Sequence, residues 1–131
     1  MKLTFFDRQD QSNPLNGRSI ERESELLDIF NALRRRSPFI VELVGDNGYN
    51  LTIGMGDPGC VQHSPSNGDR PYLMAVGPHP EDSQDSTEYL MGDTPTPIVR
   101  RYALPFEVVA AIACHFQGTG ERSSAVPWEQ I

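Results

Sequence analysis

The stretch FIVELVGDNGYNLTIGM, residues 39–55, constrains the fold of this chain more than any other segment. Apolar side chains recur at every second position on both sides of Asn47-Gly48. Asn-Gly favours a two-residue β-turn, because both residues tolerate positive φ angles. The pattern therefore predicts a β-hairpin with Asn47 and Gly48 at its turn.

Further short strands are predicted before and after this hairpin. They are the apolar runs LTFF, CVQH, YLMAVG, EYLM and PIVRRYAL, at residues 3–6, 60–63, 72–77, 88–91 and 97–104. No helical period is present between residues 39 and 102. Consecutive short strands joined by tight turns predict an antiparallel meander.

Two segments that flank the strands have the periodicity of amphipathic helices. In residues 20–36 the apolar side chains of Leu26, Phe30 and Leu33 share one face, and the arginines at 34–36 are expected to form a solvated helix end. The second helix is predicted to begin at Pro105 and to bury Phe116. We therefore expect one α+β domain, residues 1–131, with an antiparallel sheet of about five to seven strands and an N-terminal and a C-terminal helix packed on it.

The net charge of −7 is concentrated in the middle of the chain. Residues 37–99 carry nine acidic residues and one base, Arg70, a net charge of −8, whereas the other segments carry nine acids and ten bases, a net charge of +1. Contacts with nucleic-acid phosphates need Lys and Arg, so no nucleic-acid partner is expected. Two interpretations remain open: a surface for a basic protein partner, or a surface that only promotes solubility.

The sequence predicts no catalytic residue, no metal and no cofactor. Cys60 and His63 resemble half of a zinc site, but a strand would point them to opposite faces, and Cys114 and His115 would diverge on a helix. No P-loop, nucleophile elbow or deaminase signature is present. No apolar run is long enough for a membrane span or a signal peptide, so a cytoplasmic protein without membrane contacts is expected.

The only tryptophan, Trp128, lies three residues from the C-terminus. Gly118 and Gly120 are predicted to end the last helix and turn the chain back. Trp128 would then be buried against the sheet or the last helix and, with Phe30 and Phe116, stabilise the core. The alternative is an exposed anchor for a partner, because tryptophan is enriched at interface hot spots.

These features together resemble the first-numbered immunity family of bacterial polymorphic toxin systems. The likeness spans the arginine-ended helix, the hairpin, the strand GCVQH, the segment RRYALPFEVVAAIACHF and the closing residues GTG and VPWEQI. It is strongest near the C-terminus, at Pro105, Phe116, Thr119, Gly120, Trp128 and Glu129. Ser123-Ser124 depart from the pattern, since relatives often carry a proline near this bend.

Family members are typically encoded beside toxins with nucleic-acid deaminase domains. The resemblance implies a non-enzymatic protein that binds a cognate secreted toxin domain and neutralises it by occluding its active site. A basic substrate groove on that toxin would complement acidic loops. The candidate partner-binding residues are Asp46, Asp57, Asp69, Glu81, Asp82 and Asp85. The alternatives are a small enzyme of unrecognised type and an adaptor or interaction domain of another assembly.

Overall fold

The computed structural model describes residues 1–36, 38–81 and 83–131. The described residues form nine strands, two α-helices and one 3-10 turn at Arg100–Tyr102. The strands are β1 (Leu3–Asp7), β2 (Ser19–Ile20), β3 (Phe39–Gly45), β4 (Tyr49–Met55), β5 (Cys60–Pro65), β6 (Leu73–Ala75), β7 (Ser86–Met91), β8 (Thr94–Val99) and β9 (Trp128–Gln130). The helices are α1 (Glu23–Leu33) and α2 (Phe106–Thr119). The α+β class is confirmed, but the prediction of five to seven strands was too low.

Strands β3 and β4 form the predicted hairpin, which lies at the centre of the sheet. Leu43 pairs with Leu51 across it, and Gly48 at the turn has a φ of 88°. The sheet order is β2-β1-β3-β4-β5-β6-β9, with every neighbouring pair in this order antiparallel. The meander from β3 to β6 therefore agrees with the sequence pattern, and the C-terminal strand β9 forms one edge of the sheet.

One face of this sheet shares a hydrophobic core with the two helices. Odd-numbered residues of the central strands, such as Val41 and Ile53, point to this face because side chains alternate along a strand. Phe30 of α1 and Phe116 of α2 are completely buried in the same core. The Phe30 and Phe106 ring centroids are 6.4 Å apart, which joins the two helices.

The opposite face of the sheet is covered by the β7–β8 hairpin. Tyr89 of β7 is buried against Ile40 and Cys60, and its hydroxyl donates a hydrogen bond to the Pro58 carbonyl oxygen at 2.8 Å. β7 joins the sheet through one parallel pair, Phe39 with Leu90. The simple meander predicted for the whole strand region therefore ends at β6.

Of the three arginines predicted to form a solvated helix end, Arg35 is exposed, but Arg34 and Arg36 pack against the protein. The Arg34 guanidinium carbon lies 4.0 Å from the centroid of the Phe106 ring, and that of Arg36 lies 3.8 Å from the Phe39 ring. Arg36 also forms an ion pair of 2.7 Å with the buried Asp7 carboxylate. Cation–π packing and a buried carboxylate thus hold these side chains on the protein.

Neither described helix is long and apolar enough to cross a membrane.

Candidate functional site

A cleft lies at each end of strand β4. The first, here called the aromatic cleft, is lined by residues that include Tyr49, His63 and Trp128, and has a volume of about 560 Å³. The second, here called the acidic cleft, is lined by residues that include Asp57 and Asp85, and has a volume of about 590 Å³. At about 3.3 Å per residue, the length of β4 separates the two ends by about 20 Å.

The C-terminal tail builds one wall of the aromatic cleft. Gly120 ends α2 in the left-handed region, at a φ of 75°, and its carbonyl oxygen accepts a hydrogen bond of 2.8 Å from Asn47 Nδ2. The Trp128 indole N–H then donates to the Ser123 carbonyl oxygen at 2.8 Å, while β9 pairs with β6. Trp128 packs against the helical core, as predicted, but it is only partly buried.

His63 lies at the base of the aromatic cleft, surrounded by rings. Its imidazole stacks on Tyr49 at a centroid distance of 4.9 Å and meets Phe116 and Trp128 edge-on at 5.8 Å and 6.3 Å. The residue is 8% exposed. Burial lowers the pKa of His63 to about 4, with a further contribution from the positive charge of Arg122. The imidazole is therefore neutral at physiological pH.

The acidic cleft lies beside the start of helix α2. The Asp57 carboxylate accepts a hydrogen bond of 3.4 Å from the backbone N–H of Phe106. A carboxylate at this place is favoured by the partial positive charge of a helix N-terminus. Leu104 and several prolines supply apolar lining, and the exposed Asp85 and Arg100 line the same cleft. The cleft therefore combines two carboxylates and one guanidinium with apolar lining.

The predicted acidic candidates do not form one patch. Asp46, in the β3–β4 turn, and Asp69, in the β5–β6 loop, lie at the end of β4 that carries the aromatic cleft. Asp57 and Asp85 lie at the other end, and Glu81 is close to them, since its carboxylate is 3.9 Å from His79 of the acidic cleft. All five are exposed. The sixth candidate, Asp82, lies outside the described residues.

Sequence reasoning missed an ion-pair cluster that fastens the tail. The Glu129 carboxylate accepts hydrogen bonds from Arg101 Nε at 2.9 Å, from Arg101 Nη2 at 2.7 Å and from the Tyr102 hydroxyl at 2.5 Å. The bonds from Arg101 first, and then from Tyr102, lower the pKa of Glu129 to about 2. The sequence pattern drew attention to Glu129 through the closing Trp-Glu pair. It did not indicate which residues the glutamate contacts.

Metal binding and thiol chemistry depend on how the His, Cys, Asp and Glu side chains of the described residues are placed. No group of three or more His, Cys, Asp or Glu side chains in them is placed to hold a metal ion. Cys60 packs with Tyr89 on one face of the sheet, whereas His63 contacts Phe116 on the other. Burial raises the pKa of the Cys60 thiol to about 12 and that of Cys114 to about 11, so both thiols are protonated at neutral pH and are poor nucleophiles.

Comparison with known proteins identifies the family. No curated protein matches the sequence. A family model described as Immunity protein Imm1 matches residues 11–130, which include all of the helices, the central hairpin and the tail strand. The chain belongs to the Imm1 family of immunity proteins.

Proposed function

We propose that this protein binds a cognate secreted toxin of the nucleic-acid deaminase type and neutralises it by occluding its active site. The observation that carries the proposal is the match of residues 11–130 to the immunity-protein family, whose members act on a toxin partner. The deaminase chemistry comes from the resemblance of the arginine-ended helix, the hairpin and the closing VPWEQI segment to members encoded beside such toxins.

A binding role without catalysis accords with the site chemistry. An enzyme needs a nucleophile, a base or a bound metal that converges on one substrate position. In the described part of the chain the thiols are protonated, and His63 is enclosed by aromatic rings without a nucleophile beside it. Both clefts present groups suited to recognition instead: aromatic rings and an arginine at one end, and two carboxylates and one guanidinium with apolar lining at the other.

The charge distribution supports a basic partner. Among the described residues no ion pair involves Asp46, Asp57, Asp69 or Asp85, and all four are exposed. A toxin domain that acts on nucleic acid needs a basic groove for the phosphates of its substrate. Unpaired carboxylates at both ends of β4 would be attracted to such a groove, and a protein lodged over it would exclude the substrate.

The proposal is tested with the purified toxin domain encoded beside this gene. Deamination of a single-stranded oligonucleotide is measured while the protein is added up to and beyond an equal molar amount. We expect inhibition to be complete near equimolar protein and to weaken as the oligonucleotide concentration is raised, because the two compete for one site. A complex that still deaminates at full rate would refute occlusion. A toxin domain that is inhibited but has another activity would refute the deaminase assignment alone.

A further inference from the structure

We infer that the aromatic cleft is the anchor site for the toxin, and that it takes an aspartate or glutamate side chain of the toxin together with an apolar neighbour. The inference rests on the proposed function and adds a site and a ligand chemistry to it. It differs from the attraction between acidic loops and a basic groove, because the cleft presents hydrogen-bond donors and a positive charge.

The first argument is an unpartnered imidazole at the base of the cleft. His63 is more than nine-tenths buried, and no hydrogen bond joins its ring nitrogens to any of the described residues. Its ring nitrogens are not among the fully enclosed, unpartnered polar atoms of the described residues, so they are accessible from the cleft and free to bond a ligand. His63 lines the cleft, so a bound side chain reaching the base would supply the missing partner.

The second argument is an arginine that has no carboxylate partner. The Arg122 guanidinium carbon lies 5.9 Å from the centroid of the Trp128 ring, and no ion pair joins Arg122 to a described acidic residue. Its charge acts on the His63 imidazole at the base of the cleft. The hydroxyl-bearing Ser124 lines the same space. A guanidinium, an imidazole and a hydroxyl together suit an anionic acceptor such as a carboxylate.

The third argument is the apolar wall that this cleft exposes. Tyr49 is 41% exposed, although its ring stacks on the buried His63. Pro71 and Leu73 extend the apolar surface beside it. Tyr, Trp and Arg dominate the binding energy of protein interfaces, and they do so in concave, desolvated centres. The volume of about 560 Å³ accommodates a carboxylate side chain and an apolar neighbour.

One negative charge in the cleft would repel this anionic occupant. The direction in which its removal changes the affinity for the toxin therefore tests the inference. Glu121 lines the same cleft, is exposed, and forms no ion pair with a described basic residue. Removal of its charge will favour an anionic occupant and disfavour a cationic one. Removal of the Arg122 charge will act in the reverse direction. Both side chains are exposed, so replacing either one with glutamine should leave the fold intact.

The experiment measures the dissociation constant of the adjacent-gene toxin domain by calorimetry for the wild-type chain and four variants. We expect Arg122→Gln to weaken binding about tenfold, Tyr49→Ala to weaken it roughly 30-fold as at an interface hot spot, and Glu121→Gln to tighten it a few-fold. His63→Phe keeps a ring against Tyr49 and removes both nitrogens. It should weaken binding without lowering the melting temperature, a combination that a purely structural histidine would not produce.

A fluorine label in the cleft reports whether the variants are folded and whether the toxin binds at this place. Trp128 is the only tryptophan, so incorporation of 5-fluorotryptophan gives one fluorine resonance, which lies in the cleft. We expect this resonance to shift when the toxin binds, and to remain a single resonance distinct from that of the unfolded chain in free Arg122→Gln and Glu121→Gln. Asp28→Asn, an exposed position on α1 outside both clefts, serves as the matched neutral substitution and should leave the dissociation constant unchanged.

Three results would overturn the inference, each in a different way. Tighter binding by Arg122→Gln together with weaker binding by Glu121→Gln would show a cationic occupant. Tight wild-type binding that none of the four cleft variants alters would place the anchor elsewhere and leave the immunity function standing. A wild-type chain that does not bind the toxin at all would remove the proposed function, and the anchor site with it.

Discussion

Glu129, in the last strand, and Arg101, in the 3-10 turn before α2, form a bidentate ion pair with N···O distances of 2.9 Å and 2.7 Å. Tyr102 adds a third donor to the same carboxylate, and Arg101 also donates to the Pro80 carbonyl oxygen. The pair therefore ties the C-terminal strand to the turn that precedes α2 and to the loop before β7. It explains how three tail residues remain in the sheet and hold Trp128 over His63.

Replacement of Glu129 by Gln should destabilise the protein in a pH-dependent manner. The folded pKa of Glu129 is lowered to about 2 from an ordinary value of 4.5, so its contribution is complete above 4.5 and is lost as the pH falls through about 2. Urea midpoints of wild type and Glu129→Gln should differ near neutral pH and converge toward about pH 2. A difference that is constant over this range would contradict the role of the ionised carboxylate.

Replacement of Asp7 by Asn should loosen the loop that follows β1. Burial raises the pKa of Asp7, but hydrogen bonds from Asn13, Arg36 and two backbone N–H groups outweigh burial and hold the pKa below 3.8. Loss of the charged acceptor should lower the free energy of unfolding by about 2–3 kcal/mol. Asp28→Asn, an exposed substitution on α1, should change it by less than about 0.5 kcal/mol. Equal effects of the two substitutions would show that the Asp7 carboxylate does not stabilise this loop.

Two glycine-to-alanine changes should have opposite effects on stability. A Cβ at Gly54 would lie 2.7 Å from the Tyr89 ring and 2.6 Å from Cys60 Sγ, so Gly54→Ala should cost about 1–3 kcal/mol by overpacking the space between the sheet and the β7–β8 hairpin. Gly118, in α2, has nothing within 4 Å of the added carbon, so Gly118→Ala should add about 0.5–1 kcal/mol through helix propensity. Thermal unfolding of both variants measures these effects. If Gly54→Ala is as stable as the wild type, Tyr89 of β7 does not pack closely against Gly54 of β4.

The acidic residues beside the acidic cleft, Glu81 and Asp85, should govern the rate at which the toxin associates. Glu81→Lys/Asp85→Lys should slow association about tenfold at low salt and flatten its salt dependence, because exposed charges act mainly on the encounter. Glu21→Lys/Asp28→Lys makes the same change in net charge at exposed positions near and within α1. If this control slows association equally, net charge and not the placement of Glu81 and Asp85 is responsible. Stopped-flow mixing at low and high salt measures both.

The parts of the fold that were predictable are those in which local pattern and tertiary structure agree. The Asn47-Gly48 hairpin and the helix after Pro105 carry a turn signal and a sustained period, so each was found from its own residues. Strands β2 and β9 have two and three residues. Two or three residues are too few to show the alternation of a strand. Such short strands also depend on the partner strand for their conformation. Their omission accounts for the underestimated strand number.

The aromatic cleft was not predictable, because it depends on residues from distant segments. His63 was considered only as half of a zinc site, which the alternation of a strand excluded, and Trp128 was predicted to be a core residue. Only the pairing of β9 with β6 and the turn at Gly120 bring Trp128, Tyr49 and Arg122 around the imidazole. The exposure of the acidic loops was inferred correctly for the described candidates, but their division between two ends of β4 depends on strand topology.

The most direct test of the central claim is survival of bacteria that express the adjacent-gene toxin domain. Cells carrying this protein, a Tyr49→Ala variant or an empty vector are compared by colony counts after toxin induction, with the amount of each protein checked in the same cultures. We expect the wild-type protein to restore full viability and Tyr49→Ala to protect only at higher expression. Equal killing in cells with the wild-type protein and with the empty vector, at confirmed expression, would contradict the assignment as the immunity protein of that toxin.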